Sequence, residues 1–209
     1  MGPISDRVPR PSRGPIPHSR PTISRADANA LARSAMSGAL VGPDAVETFE
    51  AAVARRAGTA HGCAVDSGTA ALFLALMALG IGPGDEVVLP AYVCPSVLYA
   101  VRYLGAQAVL ADVNPETGIS EAGHVRAVLS RRARAVVAVH LFGRAAPIDD
   151  IVSLGVPVVE DCAQSLGGTY RNRPLGSWGA ASIFSFYATK VITTGRGGMV
   201  CSSDADLVG

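Results

Sequence analysis

Lysine is almost missing from this sequence. Lysine and arginine together number 18 in 209 residues, and every one except Lys190 is arginine. Lysine is therefore excluded as the general source of positive charge, and the one primary side-chain amine needs its own explanation. Arginine serves wherever only charge is wanted, but it cannot lose its proton and attack a carbonyl as a nucleophile. Lys190 follows the aromatic run Phe184-Ser185-Phe186-Tyr187 and precedes a glycine-rich stretch. That setting points to a Schiff-base lysine rather than a leftover surface charge.

Other shortages narrow the field further. Aromatic residues make up 5% of the chain, so the core must come from alanine, valine and leucine, as in layered α/β proteins. Net charge is +1, which gives no general electrostatic case for binding nucleic acid or an anionic membrane. The longest apolar run, residues 70–79, is shorter than the roughly 20 residues that a membrane-spanning helix requires. Residues 1–24 contain no apolar segment of signal-peptide type. A soluble cytoplasmic protein is expected. The four cysteines, Cys63, Cys94, Cys162 and Cys201, form no CxxC pair and no Cys/His ligand spacing. They read as reduced thiols, with no metal site.

Residues 1–22 are rich in proline and arginine and are expected to be a disordered tail. Beyond residue 26 the pattern turns helical. Val46, Phe49 and Val53 share one face, with Asp44 near the start and Gly58 as the stop. Strand-like apolar runs follow at 62–65, 86–89, 108–111, 135–139 and 156–159. Helical candidates lie between them at 69–79, 95–104, 121–130 and 148–154. This alternation predicts βαβ units in a three-layer α/β/α fold with a mostly parallel sheet. Ligands of such folds gather at the carboxyl ends of the strands. A further strand at Gly198–Ser202 leads into Ser203-Asp204-Ala205-Asp206, which has the pattern of a helix start with a capping box. A domain rarely ends by starting a helix, so a C-terminally truncated domain is expected.

Four local groups carry chemistry. In Asp66-Ser67-Gly68-Thr69, a strand gives way to a helix whose first N–H groups, with the Thr69 hydroxyl, could cradle a phosphate; Ser-Gly-Thr is also an ordinary helix cap. In Val158-Val159-Glu160-Asp161, a strand delivers Asp161 to its carboxyl end, followed by Gln164. Asp161 could hold a protonated ring nitrogen, or Asp161 or Glu160 could merely cap a following helix. Lys190, with Ser185 five residues before it, is the third group. The turn 193–198 is the fourth; it lets backbone pass close to a ligand but is no dinucleotide fingerprint, because a strand follows it. His140 ends an apolar strand and reads as a core or turn histidine. A nucleophilic amine, a strand-end carboxylate and a phosphate cup are together what pyridoxal 5′-phosphate (PLP) requires.

Several ordered stretches carry a resemblance. They are Ser37-Gly38, Gly42-Pro43, Phe49-Glu50, Ser67-Gly68-Thr69-Ala70-Ala71-Leu72, and Gly80 to Val87 with Pro90. Val139-His140-Leu141-Phe142-Gly143, Glu160-Asp161-Cys162-Ala163-Gln164, Phe184-Ser185-Phe186, Lys190 and the glycines 195, 197 and 198 continue the series. From residue 23 to 209 the chain resembles the first half of the DegT/StrS family of PLP-dependent sugar aminotransferases, which have the aspartate-aminotransferase fold (fold type I). The resemblance implies a PLP-binding large domain over 23–209, lacking the family's small C-terminal domain. It implies Lys190 as the catalytic, cofactor-bearing lysine and Asp161 as the pyridinium partner. Gln164 would lie near the ring, and Ser67, Gly68, Thr69 and Ser185 at the phosphate. It further implies transfer of an amino group from an amino-acid donor, glutamate, to a keto-sugar carried on a nucleotide, within a homodimer; a ketocyclitol is the second choice of acceptor. Members that eliminate a hydroxyl carry histidine in place of this lysine, so Lys190 argues for transfer. The rival reading is a truncated, non-catalytic PLP-binding remnant.

Three positions depart from the family pattern. Cys94 stands where many members place an aromatic that stacks on the ring, with Tyr92 the other candidate for that role. Ala180 replaces an aspartate after Gly176-Ser177-Trp178-Gly179. Arg196 replaces a glutamate between the glycines.

Overall fold

The computed structural model of the chain describes residues 18–38 and 42–208. Residues 1–17 of the expected tail lie outside the described residues. Residues 18–22 adopt neither helix nor strand, and the Ser19 hydroxyl donates to the carbonyl of Ala188 (3.3 Å). Helix α1 (Arg25–Met36) is capped by Ser24 in a capping box with Asp27, and none of its residues is buried. Helix α2 (Pro43–Ala57) opens on a proline and closes at Gly58, whose φ of 72° is left-handed, the ends that favour proline and glycine respectively. It buries Val53, Ala54 and Ala57, and Phe49 packs edge-on against Phe186 with ring centroids 4.8 Å apart. Val46, expected on the same face, is 43% exposed, because the inward stripe of this helix is narrower than its apolar sequence.

The alternating elements follow as β1 (His61–Val65), α3 (Gly68–Ala78), β2 (Glu86–Pro90), α4 (Pro95–Tyr103), β3 (Gln107–Ala111), α5 (Ala122–Val128), β4 (Ala133–Val139), α6 (Ile148–Val152) and β5 (Val158–Asp161). A two-residue hairpin, β6 (Thr169–Tyr170) and β7 (Arg173–Pro174), precedes β8 (Ala181–Ser185) and β9 (Gly198–Ser202). The expected strand at 156–159 instead begins at Val158. Pro157 has no N–H to give to a ladder, and only its carbonyl is used, by the Val136 N–H (2.9 Å). No helix follows β5, so the helix-cap alternative for Asp161 and Glu160 falls away. At the end of the chain Ser203 does not cap. Asp204 does, accepting from the Asp206 N–H (3.0 Å), over a single 3₁₀ turn, Ala205–Leu207.

Seven strands form one sheet in the order β1-β9-β8-β5-β4-β2-β3. Only β9 runs against the others, pairing antiparallel with both β1 and β8. Crossovers between parallel strands are right-handed. The chain moves one way across the sheet through α3 and α4 and back through α5 and α6, which puts these pairs on opposite faces. Alternation along the strands agrees: Ile183 and Val200 pack in the cluster with Leu72 and Leu76 of α3, whereas Phe184, Met199 and Cys201 pack with Val53 and Ala57 of α2. The result is the expected three-layer α/β/α fold. Leu72 and Leu76 are almost wholly buried, and each such side chain contributes about 1.5–3 kcal/mol. No helix among the described residues is long and apolar enough to cross a membrane.

Candidate active site

All parallel strands of the sheet end on one edge, and the residues singled out for chemistry lie there. After β1 the chain turns at Asp66 and Ser67 into α3. Ser67 is the N-cap: its hydroxyl accepts from the Ala70 N–H (3.2 Å) and donates to Asp66 (3.0 Å). That hydroxyl is engaged in shaping the turn. The N–H groups of Gly68 and Thr69 have no acceptor in the helix, as at any helix start. Among the described residues the Thr69 and Ser185 hydroxyls make no hydrogen bond.

Two glycines let three segments converge here. A Cβ on Gly68 would stand 2.8 Å from Cβ of Ser185, so only glycine lets the start of α3 touch the end of β8. A Cβ on Gly198 would stand 2.2 Å from the Ser67 carbonyl oxygen, so the start of β9 presses directly on the same turn.

Asp161, the last residue of β5, is 8% exposed. One carboxylate oxygen accepts from the Ala163 N–H (2.9 Å), which leaves the other toward the cavity. Burial pushes this carboxyl above its ordinary value, opposed in part by the Ala163 N–H and the nearby positive charge of Lys190. Lys190 is half-buried; its backbone N–H donates to the Tyr187 carbonyl (2.9 Å), while its side-chain amine makes no hydrogen bond or salt bridge among the described residues. Gln164 accepts from the Phe142 N–H through Oε1 (2.9 Å).

These groups line a single cavity of about 630 Å³ that takes in Ser67, Gly68, Thr69, Asp161, Gln164, Ser185 and Lys190. All seven residues named from the sequence are therefore brought together, in a volume typical of small-molecule sites. Cys94 and Arg196 line it as well. Tyr92 does not: it is 56% exposed and its ring lies over Gly118, where a Cβ would come within 3.1 Å of it. Val139 and Ile183 form further apolar wall. They went unremarked in the sequence because nothing distinguishes a strand-end valine or isoleucine facing a ligand from one facing the core.

Behind the cavity, on the other face of the sheet, His140, Glu160 and Cys162 place potential ligand atoms within 4.8 Å of one another. Both ring nitrogens of His140 are taken, by Glu160 (3.0 Å) and by the Ala146 N–H (3.1 Å). Glu160 also accepts from the N–H groups of Gly176, Trp178 and Gly179 (2.9, 2.6 and 2.9 Å). Burial pushes the Cys162 thiol far above its ordinary value. A set already saturated with hydrogen bonds suits structure better than metal binding.

Residues 21–209 match the DegT/DnrJ/EryC1/StrS aminotransferase family. The chain belongs to this family. It is 42% identical over 163 residues to the GDP-perosamine synthase of Caulobacter vibrioides, covering 76% of this chain and 44% of that protein. It is 39% identical over 196 residues to the spore coat polysaccharide biosynthesis protein SpsC of Bacillus subtilis, covering 92% and 50%. Among solved structures, the aminotransferase TlmJ of Streptoalloteichus hindustanus superposes with a TM-score of 0.89 at 36% identity, over 92% of this chain and 54% of that one. The chain spans about half the length of the curated relatives it matches. As a DegT/DnrJ/EryC1/StrS chain it has the mostly parallel α/β fold of PLP aminotransferases, and PLP is the cofactor that this family implies.

Proposed function

We propose that this chain is the PLP-binding large domain of an aminotransferase that moves an amino group from an amino-acid donor, glutamate, to a keto-sugar carried on a nucleotide. One observation carries the reading. An unpaired lysine amine, a buried carboxylate with a free oxygen, and a glycine-lined cup of unpartnered N–H and hydroxyl groups share one cavity. This donor set fits PLP group by group: the amine its carbonyl, the carboxylate its ring nitrogen, the cup its phosphate. When bound, PLP supplies a carbonyl that condenses with amines and a ring that takes up the electron pair left on a substrate carbon.

The residues have separate tasks. The N–H groups of Gly68 and Thr69, with the Thr69 and Ser185 hydroxyls, hold an anion at the positive end of α3. The free oxygen of Asp161 accepts a proton-bearing ring nitrogen, and its ionised form is favoured by that partner against the cost of burial. Lys190 would hold the carbonyl of the cofactor through Nζ, and its amine, when free, would serve as the base that moves a proton at the reacting carbon. Cys94 lies on the cavity wall at the position where an aromatic would stack, so a thiol replaces a ring face there. A homodimer belongs to this proposal: Tyr187, Val191 and Ile192 stand exposed beside Lys190, an apolar rim suited to a second copy. Sedimentation as a monomer at micromolar concentration would remove that part.

The test is visible absorbance of the chain with added PLP. A visible band is expected that borohydride bleaches while fixing the cofactor to Lys190 as a stable secondary amine, and the band should be missing in Lys190→Ala. It should also vanish in Lys190→Arg, which keeps the charge but not the nucleophile. An unchanged band in either variant overturns the assignment. Glutamate-dependent bleaching of that band separates an active half-reaction from simple cofactor binding.

A further inference from the structure

His140 and Glu160 are among the largest fully buried side chains, both at 0% exposure, and the proposed chemistry uses neither. Neighbouring strand residues face opposite sides of a sheet, so Glu160 lies directly behind Asp161. There it gathers four donors: the His140 ring and three backbone N–H groups of the 176–179 turn.

The direction of each bond can be assigned. A backbone N–H only donates, so the His140 Nδ1 that receives the Ala146 N–H carries no proton. The ring proton then sits on Nε2 and points at Glu160. His140 thereby closes residues 140–146 into a loop. Inside that loop Phe142 has a φ of 53° and is 73% exposed. A left-handed aromatic residue is strained, and it persists only where its surroundings hold it. The Phe142 N–H donates to Gln164 Oε1. With its carbonyl turned to the Phe142 N–H, Gln164 has its NH₂ to offer the cavity that it lines.

We propose that the Glu160–His140 pair is a positioning device for Gln164: it holds the 140–146 loop in the strained form in which the Phe142 N–H captures the Gln164 carbonyl. The cavity then sees a hydrogen-bond donor at this point and selects an acceptor atom on its ligand. Identifying that acceptor as an oxygen of the PLP ring rests on the function proposed above; the loop geometry does not.

Amide hydrogen exchange and PLP titration together test this. In Gln164→Ala the Phe142 amide should exchange at least about tenfold faster, the loss expected for one hydrogen bond. Unchanged protection refutes the capture whether or not PLP binds. In His140→Phe the amides of Ala146 and Phe142 should both lose protection, and PLP affinity should fall about tenfold. In the Gln164→Ala background the same His140 substitution should leave PLP affinity unchanged while lowering Tm as much as it does in the unsubstituted chain. An equal affinity loss in both backgrounds would mean a purely structural role and sink the proposal. Gln164→Glu, which is partly exposed and leaves the core intact, should keep Phe142 protected yet weaken PLP binding, because an acceptor replaces the donor. Full PLP affinity in that variant also overturns it. Should the unmodified chain show no Lys190-dependent band, the functional reading fails, and the exchange measurements still decide the loop.

Discussion

Gly198→Ala isolates the contact on which the cup depends. Gly198 opens β9, with Val65 on one side and Ser185 on the other. A Cβ there would lie 2.2 Å from the Ser67 oxygen, 2.4 Å from the Ser67 carbonyl carbon and 2.8 Å from the Gly68 nitrogen. All three are backbone atoms, so no rotamer change relieves the clash. Ordinary carbon contacts lie near 3.5–4.0 Å, so either β9 or the first turn of α3 must move by about 1 Å. Strand β9 is hydrogen-bonded on both sides and α3 is held by its Ser67 cap. The displacement therefore belongs at the severe end of overpacking, about 3 kcal/mol, or a Tm fall of roughly 6–12 °C for a chain of this size. The movement also pulls Gly68 off Ser185, so PLP affinity should drop with stability. Gly123→Ala is the control: it sits in α5 with no atom within 4 Å of the added carbon, and it should be neutral or stabilising by up to about 1 kcal/mol. Thermal and urea unfolding, with PLP titration, read both. If the two variants unfold within about 0.5 kcal/mol of each other, the close-approach argument is wrong.

Three further outcomes are expected. Burial raises the Asp161 carboxyl, so the folded state holds that proton more tightly, and stability is lost as pH rises through the folded value. Asp161→Asn should then melt higher than the unsubstituted chain at pH 7 without PLP, with the gap closing below about pH 4, while PLP binding weakens; a lower melting temperature at pH 7 contradicts this. Glu160 runs the other way: burial alone would raise it, but the bonds from His140, Gly176 and Gly179 outweigh that and hold it below its ordinary value. Its contribution is full above the unfolded value and fades as pH falls through the folded one, so Glu160→Gln should cost about 2–3 kcal/mol at pH 7 and flatten the acid limb of the stability curve. Cys94 is exposed and on the cavity wall, whereas Cys162 and Cys201 are buried, with the Cys201 thiol pushed up to about 12 by burial. Iodoacetamide should modify Cys94 first and more slowly once PLP is bound; equal rates with and without PLP would remove Cys94 from the site.

Much of this was legible along the chain, for a physical reason. A parallel sheet covered on both faces needs apolar strands, and these stand out between helices of different period. The same geometry puts each chemical residue at or just after the end of a strand, so Asp66–Thr69, Asp161 and Lys190 could be read locally, whereas Ser185 and Gln164 were reached only through the family resemblance. The antiparallel direction of β9 was not legible, since a five-residue apolar strand looks the same in either direction. The choice between Cys94 and Tyr92 was not legible either. It depends on which way the turn after Pro90 sends each side chain, and a glycine from a distant segment, Gly118, makes the space that Tyr92 fills.

Least legible of all was Glu160. In the sequence it is one carboxylate beside another, and the pair invites a search for shared chemistry. The sheet separates them: the 2-residue period of the strand sends Asp161 into the cavity and Glu160 away from it. Their electrostatics separate too, because Glu160 meets four donors and is held ionised, while Asp161 meets one and is left poorly satisfied. A buried carboxylate without enough partners is unstable by itself and is improved by any cation that enters. The imbalance between these two neighbours is thus what fits one of them for the scaffold and the other for the binding site proposed above.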